Sequence, residues 1–361
     1  MKKKMSVLLS VILCLSLFGC SNTSSRSSAE PTSALGSAPP AESSEPSDDK
    51  LIIRLASITS ANPDAYEYQA GLLFQEKVAE YSNGSMEVQY YPASQLGNSL
   101  EMLEGVSMGT IEMGMSVGFD VYANLDPICQ VVGMPFLFKD YDHMRAFLEG
   151  DSDAIQEIRN SMIENIDTRI MGYCYRPFRS VVSMSNDIYA PSDMAGMTIR
   201  SPESKANMQW IEDMGATPVT ISWSELYTSL STGAAQGAEN SITEFHSGNF
   251  QDILTSASET NHMAVTCLLT CNNSWYESLT DAQREVMDKA SADFNQFMWE
   301  QFQDASETAW KAFEEAGVTV IRNDQIDTDA FREASASVYK AFVDAGYFTE
   351  DLYQSILNLD Y

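Results

Sequence analysis

Pro191-Ser192-Asp193-Met194-Ala195-Gly196-Met197-Thr198-Ile199-Arg200-Ser201-Pro202 compresses a turn, a strand and a stop into twelve residues. Pro191 to Gly196 reads as a turn or a single helical turn. Met197-Thr198-Ile199 is a short β run, and Pro202 ends it because proline lacks the donor a strand ladder needs. Arg200 therefore stands where a strand finishes. Met208, Ile211 and Met214 then recur at helical spacing, and Gly215 closes that helix. A strand feeding a helix in this way predicts an α/β architecture. In open α/β sheets ligands collect at the carboxyl ends of strands, which makes Arg200 a candidate binding residue.

The flanking sequence supplies three possible companions. Downstream, Ser222-Trp223-Ser224-Glu225 has the pattern of a capping box, with the Ser222 hydroxyl expected to accept from an orphan amide. The helix it opens packs through Leu226 and Leu230 and stops at Gly233, placing Trp223 in its first turn. Asn240 follows Gly237-Ala238-Glu239. Upstream, Arg179 precedes the apolar pair Val181-Val182. A guanidinium makes bidentate, charge-assisted bonds to a carboxylate, an amide adds a donor, and an indole covers an apolar portion of a ligand. Each residue also has a plain structural explanation: a surface ion pair for either arginine, core packing for Trp223, a turn for Asn240.

The same alternation runs through the rest of the chain. Leu51–Ala56 reads as a strand. Tyr66, Ala70, Phe74, Val78 and Tyr81 share a helix face closed by Asn83-Gly84. Met86, Val88 and Tyr90 alternate, as do Met113, Met115 and Val117. Ile155, Ile158, Met162 and Ile166 mark another helix. Thr280-Asp281-Ala282-Gln283 is a second capping box, opening a helical pattern that reaches Glu315, about 50 Å at 1.5 Å per residue. Such a helix is longer than one lobe is wide and is expected to act as a strut. Cys267 and Cys271 sit four residues apart in an alternating stretch, roughly 13 Å along a strand and too far for one disulfide. Cys129, Cys174, Cys267 and Cys271 are expected to be small buried hydrophobes. No Cys/His spacing suggests a metal, the histidines at 143, 246 and 262 are scattered, and no cofactor motif is found.

The first fifty residues read as an address. Lys2, Lys3 and Lys4 precede an apolar run, Met5 to Phe18, which suits a signal-peptide core and is short for a membrane span. Leu17-Phe18-Gly19-Cys20 resembles the lipobox of bacterial lipoproteins, with Cys20 as the lipidated residue. Residues 1–20 are thus expected to be a lipoprotein signal peptide and 21–49, rich in Ser, Ala, Pro and Glu, a disordered tether. The protein is expected outside the cytoplasmic membrane, lipid-anchored or periplasmic.

Apolar content of 44% and aromatic content of 10% are those of a folded globular protein. The formal charge is −30, and the leader contains three of the 21 basic residues and no acid. Nucleic acid and anionic lipid surfaces are poor partners for so acidic a chain. An anion would have to be held by a local arginine cluster. A carboxylate-based hydrolase is the competing class. No nucleophile elbow, zinc motif or Ser/His/Asp arrangement supports it, and Glu239 is the one acid near the suggested site that merits testing as a base. The chain is read as a non-enzyme.

From Pro191 to Asn240, the run quoted first, then Gly215-Ala216-Thr217-Pro218-Val219, Trp223-Ser224-Glu225-Leu226-Tyr227 and Gly237-Ala238-Glu239-Asn240, resembles the extracytoplasmic solute receptors of tripartite ATP-independent periplasmic (TRAP) transporters. Tyr91-Pro92-Ala93-Ser94-Gln95-Leu96-Gly97, Gly109-Thr110-Ile111-Glu112-Met113 and Met134-Pro135-Phe136-Leu137-Phe138 agree in order and spacing. The resemblance covers about residues 51–290. It implies a two-lobed periplasmic-binding-protein fold with a long helix spanning both lobes. Residues 50–177 plus 266–305 are expected in lobe I, and 178–265 plus 306–361 in lobe II. It also implies that Arg200 pairs with a substrate carboxylate, with Arg179, Trp223 and Asn240 beside it in the cleft. The implied partners are a small organic acid and the small and large membrane subunits of an ion-gradient-driven permease. A receptor feeding a sensor kinase is the alternative role. Ala238 and the segment Tyr173-Cys174-Tyr175-Arg176-Pro177 depart from the usual pattern and leave the ligand open.

Overall fold

A computed structural model describes residues 50–361. The expected signal peptide, the lipidation site Cys20 and the tether 21–49 lie outside the described residues. Among the described residues eleven strands form two sheets. The first, in spatial order β2-β1-β3-β10-β4, uses β1 (Leu51–Ser57), β2 (Met86–Tyr91), β3 (Met113–Gly118), β4 (Thr168–Tyr175) and β10 (Thr266–Asn272). The second runs β11-β9-β5-β8-β6-β7, from β5 (Ser180–Ser183), β6 (Thr198–Ser201), β7 (Thr217–Thr220), β8 (Gly237–Asn240), β9 (Ser256–Ser258) and β11 (Thr319–Ile321). Strands β1, β2 and β3 pair in parallel, and β10 inserts antiparallel between β3 and β4. The chain thus passes from the first sheet to the second after β4 and returns through β10.

The two passages lie side by side, with the Arg179 N–H donating to the Met263 carbonyl at 2.8 Å. The long helix, Asp281–Glu315, makes a third connection. Its first half buries Met287, Ala290, Phe294, Met298 and Phe302 in the core around the first sheet. Its last turns bury Ala309, Trp310 and Phe313 against the second sheet. One helix therefore belongs to two cores, as its length suggested. The Thr280 capping box is present, with the Gln283 N–H donating to the Thr280 hydroxyl and the Thr280 N–H to Gln283 Oε1 at 2.9 Å.

Three readings differ from the sequence expectation. At Ser222 the hydroxyl accepts no amide and instead donates to Glu225 Oε2 at 3.0 Å, so no reciprocal box forms. Residues 338–361 were expected in lobe II, but Val338, Phe342, Phe348, Leu352, Tyr353 and Ile356 pack into the core of the first sheet. Helical periodicity gives a buried face without saying which core receives it. Finally, Gly237–Asn240, which carries no apolar alternation, is an interior strand paired with β5 on one side and β6 on the other. Among the described residues the four cysteines at 129, 174, 267 and 271 are buried free thiols, with Cys174 opposite Cys267 in the β4–β10 register.

Gly237 shows why β8 needs its small residue. A Cβ there would lie 2.6 Å from the Val182 carbonyl oxygen and 2.8 Å from Ile199 Cδ1. The first of these is backbone of the neighbouring strand and cannot rotate away. Gly237→Ala is expected to destabilise the protein by roughly 1–3 kcal/mol, the usual cost of overpacking. Urea unfolding monitored by tryptophan fluorescence reads this as a lower midpoint with an unchanged slope.

Candidate functional site

Strand β6 carries Arg200 between Val219 of β7 and Ala238 of β8. Ile199 faces the core, so the alternation of a strand turns Arg200 to the other side of the sheet. The residue is 2% exposed. Its Nε donates to the Ile221 carbonyl at 2.8 Å, and its guanidinium carbon lies 5.8 Å from the centre of the Trp223 ring. Among the described residues no carboxylate forms an ion pair with it. Burial pulls its pKa down to about 10, against the weaker opposing pull of Glu239 and Glu203.

Arg179 stands just before β5 and is in the opposite condition. Its Nη2 donates to Asp120 Oδ2 and its Nη1 to Glu239 Oε2, both at 2.8 Å. Burial works against its charge, but Glu239 and Asp120 outweigh that and raise its pKa. Asp120 follows β3, in the short helix Phe119–Tyr122, whereas Glu239 is in β8. Arg179 therefore ties the two halves of the molecule together. Glu239 also accepts from Asn207 Nδ2 at 3.1 Å. His262 Nε2 lies 3.6 Å from Glu239 Oε2, too far for a hydrogen bond, and the imidazole stacks on Trp210 with ring centres 3.7 Å apart. Glu239 is enclosed by donors. That environment holds its carboxylate below the usual range despite burial, which disfavours a role as a proton acceptor.

A third arginine was overlooked as a site residue. Arg176 lies in the first passage between the sheets and grips Glu67, at the start of helix Tyr66–Tyr81, through both Nε and Nη2, the latter at 2.6 Å. It also lies 3.5 Å from Glu244 Oε1, in the helix Ile242–Ser247 beside the second sheet. Thr59 and Ser116 donate to Glu67 Oε2 at 3.1 and 3.0 Å. Burial and the adjacent Glu67 push Glu244 up to about 8, against the pull of Arg176. Glu67 is also penalised by burial, but Arg176 and the hydrogen bonds from Arg176, Ser116 and Glu244 hold it low. Glu244 is thus the member of the pair that favours its neutral form, and Glu67 the one that favours its charge.

Arg200, Arg179, Trp223 and Asn240 line one cavity together with Arg176, Asp120, Glu203 and Glu244. It encloses about 430 Å³ of space free of protein atoms, part of it open to solvent. Asn240 Oδ1 accepts from the Ser241 N–H at 2.8 Å, which leaves its Nδ2 as a donor. Trp223 has a double role, since its ring also packs on Phe250 and Phe245 with centres 5.4 and 5.9 Å away. The structure therefore brings all four sequence candidates together but treats them differently: Arg179 is already neutralised within the protein and Arg200 is not. Among the described residues no group of His, Cys, Asp or Glu side chains is arranged to hold a metal ion.

The family of bacterial extracellular solute-binding proteins, family 7, matches residues 58–345. The chain is 26% identical over 230 residues to the sialic acid-binding periplasmic protein of Vibrio cholerae, covering 64% of this chain and 70% of that one. It is 26% identical over 255 residues to the 2,3-diketo-L-gulonate-binding periplasmic protein of Escherichia coli, covering 71% and 76%. In fold it is similar to the crystal structure of a TRAP periplasmic solute-binding protein from Sulfitobacter sp. NAS-14.1 with bound β-D-galacturonate. The TM-score is 0.80 at 24% identity, over 85% of this chain and all of that one. With a match spanning both sheets and the long helix between them, the chain belongs to family 7 of the bacterial extracellular solute-binding proteins, the extracytoplasmic receptors of TRAP transporters.

Proposed function

We propose that this receptor captures a small organic acid with Arg200 as the principal carboxylate ligand, and hands it to the small and large membrane subunits of an ion-gradient-driven permease. The observation that carries the assignment is the unpaired state of Arg200, a guanidinium 2% exposed that forms no ion pair with a carboxylate among the described residues. Leaving a buried cation unmatched is costly, and an incoming carboxylate offsets that cost. Asn240 Nδ2 supplies a second donor, and Trp223 covers the ligand's apolar portion. In this proposal Arg179 positions the site by holding Asp120 and Glu239 and is not the main ligand contact. The chain binds its solute and does not transform it.

The two sheets are the cores of two lobes that close over the acid, with passages 176–179 and 259–265 and the long helix as connections. Closure excludes water and strengthens the ion pair. The acid selects the closed form because its contacts come from both sides of the cleft. Lipidation at Cys20, followed by the tether 21–49, keeps the receptor near the permease and free to turn.

Replacing Arg200 tests the assignment. A thermal-shift screen of organic acids identifies a ligand, and calorimetry then compares variants. Arg200→Ala is expected to weaken binding by roughly 100-fold or more, the usual cost of truncating one partner of a buried charge pair. Arg200→Lys should recover part of the loss, since it restores the charge without the fork. Unchanged affinity in the alanine variant would exclude Arg200 as the carboxylate ligand.

The Glu67–Arg176–Glu244 bridge generates a pH prediction. The folded pKa of Glu244, about 8, lies above its reference value of 4.5. The folded state therefore holds a proton that the unfolded chain releases across this window. The resulting stabilisation is complete below the lower value and is lost as pH rises through the upper one. A glutamine at 244 stays neutral throughout. Relative to wild type, Glu244→Gln should gain stability steadily as pH is raised from about 4.5 to 8. Melting temperatures of both proteins across that range measure the difference, and a constant offset would show that Glu244 does not hold the proton.

A further inference from the structure

The cavity that holds Arg200 also contains acceptors. Asp120 Oδ2 is bonded to Arg179, but Oδ1 has no donor among the described residues, and the residue lines the cavity. Glu203 lines it too, two residues past β6 on the opposite side, and its Oε2 is buried without any hydrogen-bond partner. Both acids act electrostatically on Arg200. Neither is needed to neutralise a cation: Arg179 already has Glu239 as well as Asp120, and Glu203 forms no ion pair among the described residues. A buried acceptor without a donor, as Glu203 Oε2 is, is destabilising and marks a place where something else must donate, and Asp120 Oδ1 is a second acceptor left open in the same cavity.

We propose that the ligand is a polyhydroxylated monocarboxylate, an aldonic or uronic acid, whose hydroxyl groups donate to Asp120 and Glu203 while Arg200 holds its carboxylate. This rests on the carboxylate-binding role of Arg200. Two arguments select the class. A second carboxylate on the ligand would meet Asp120 and Glu203, like charges in a site with little water, which disfavours dicarboxylates. The cavity also offers a donor, Asn240 Nδ2, besides its two acceptors. A hydroxyl group both donates and accepts and can serve all three, whereas an ammonium group only donates. Asp120 and Glu203 come from opposite sides of the cleft, so a chain of hydroxyls reaching both would favour closure. They are thus specificity-determining residues, each accepting from the ligand.

Calorimetric titration of the purified exported chain with D-gluconate, D-glucuronate and succinate tests this. At least one of the hydroxylated acids is expected to bind roughly tenfold or more tightly than succinate, the discrimination expected from hydrogen bonds to charged acceptors. Glu203→Leu should weaken the preferred hydroxylated acid by a similar factor and leave succinate unchanged or tighter, because repulsion is removed with the acceptor. Asp120→Asn should act in the same direction, and circular dichroism checks that its bond to Arg179 is not needed for folding. Succinate binding as tightly as both hydroxylated acids, or a preference unaffected by Glu203→Leu, would overturn the proposal while leaving Arg200 in place. Binding of hydroxylated acids that survives Arg200→Ala would instead remove the carboxylate reading on which the proposal rests.

Discussion

Burying a guanidinium is tolerated when its charge is matched, and the centre of this molecule is organised by how three such groups are matched. Arg176 faces Glu67 and Glu244; Arg179 faces Asp120 and Glu239. In each cluster one acid comes from the side of the first sheet and the other from the side of the second. Each cluster therefore acts across the division between lobes, and truncating either arginine would remove the main partner of a buried carboxylate. Arg200 forms no ion pair among the described residues, which sets it apart from the two paired arginines in the same cavity. The distinction lies in pairing, since all three are almost completely buried.

The path of the chain explains why these charges meet where they do. Arg176 and Arg179 lie in the short passage between β4 and β5, where side chains can turn toward either sheet. The return passage runs beside it and contributes His262, stacked on Trp210. Both passages are themselves largely buried, including residues 176–179 and 262–265. The covalent link carrying the most buried apolar surface is instead the long helix, whose first and last turns are fixed in different cores. Between those anchors Ala305 and Ser306 are only partly buried, and Asp304, Glu307 and Thr308 are exposed.

The long helix, the strands β1, β3 and β10 and the strand-end position of Arg200 were legible because each is set by local periodicity or by a breaker. Thr280 and Gln283 fix a helix start within four residues, and Pro202 fixes a strand end within one. β8 was not legible, because Gly237 and Glu239 belong there for tertiary reasons: one must be small beneath Val182, the other must reach Arg179. The destination of residues 338–361 was hidden for a similar reason, as an amphipathic helix records that it has a core without recording which one. Arg200, Arg179, Trp223 and Asn240, which line one cavity, could be grouped from sequence. The difference in charge pairing between the two arginines could not. Glu67 is separated from Arg176 by 109 positions and Asp120 from Arg179 by 59, so nothing local announces either pair.

The strongly acidic composition acquires a specific meaning in this setting. A chain with 51 acidic and 21 basic residues repels small anions at long range, which is an odd background for a receptor of organic acids. Screening shortens that repulsion to about 8 Å at physiological ionic strength. Within the cavity the balance is local. Arg176 and Arg179 are matched by carboxylates, and burial beside Glu67 favours the neutral form of Glu244, which lowers the negative charge of the wall. Arg200 then contributes a positive charge that no neighbouring group cancels by contact. Under the proposed function a single carboxylate is drawn to that point, and Asp120 and Glu203, which line the same cavity, disfavour a second. Selectivity in such a site comes as much from where negative charge is retained as from where positive charge is exposed.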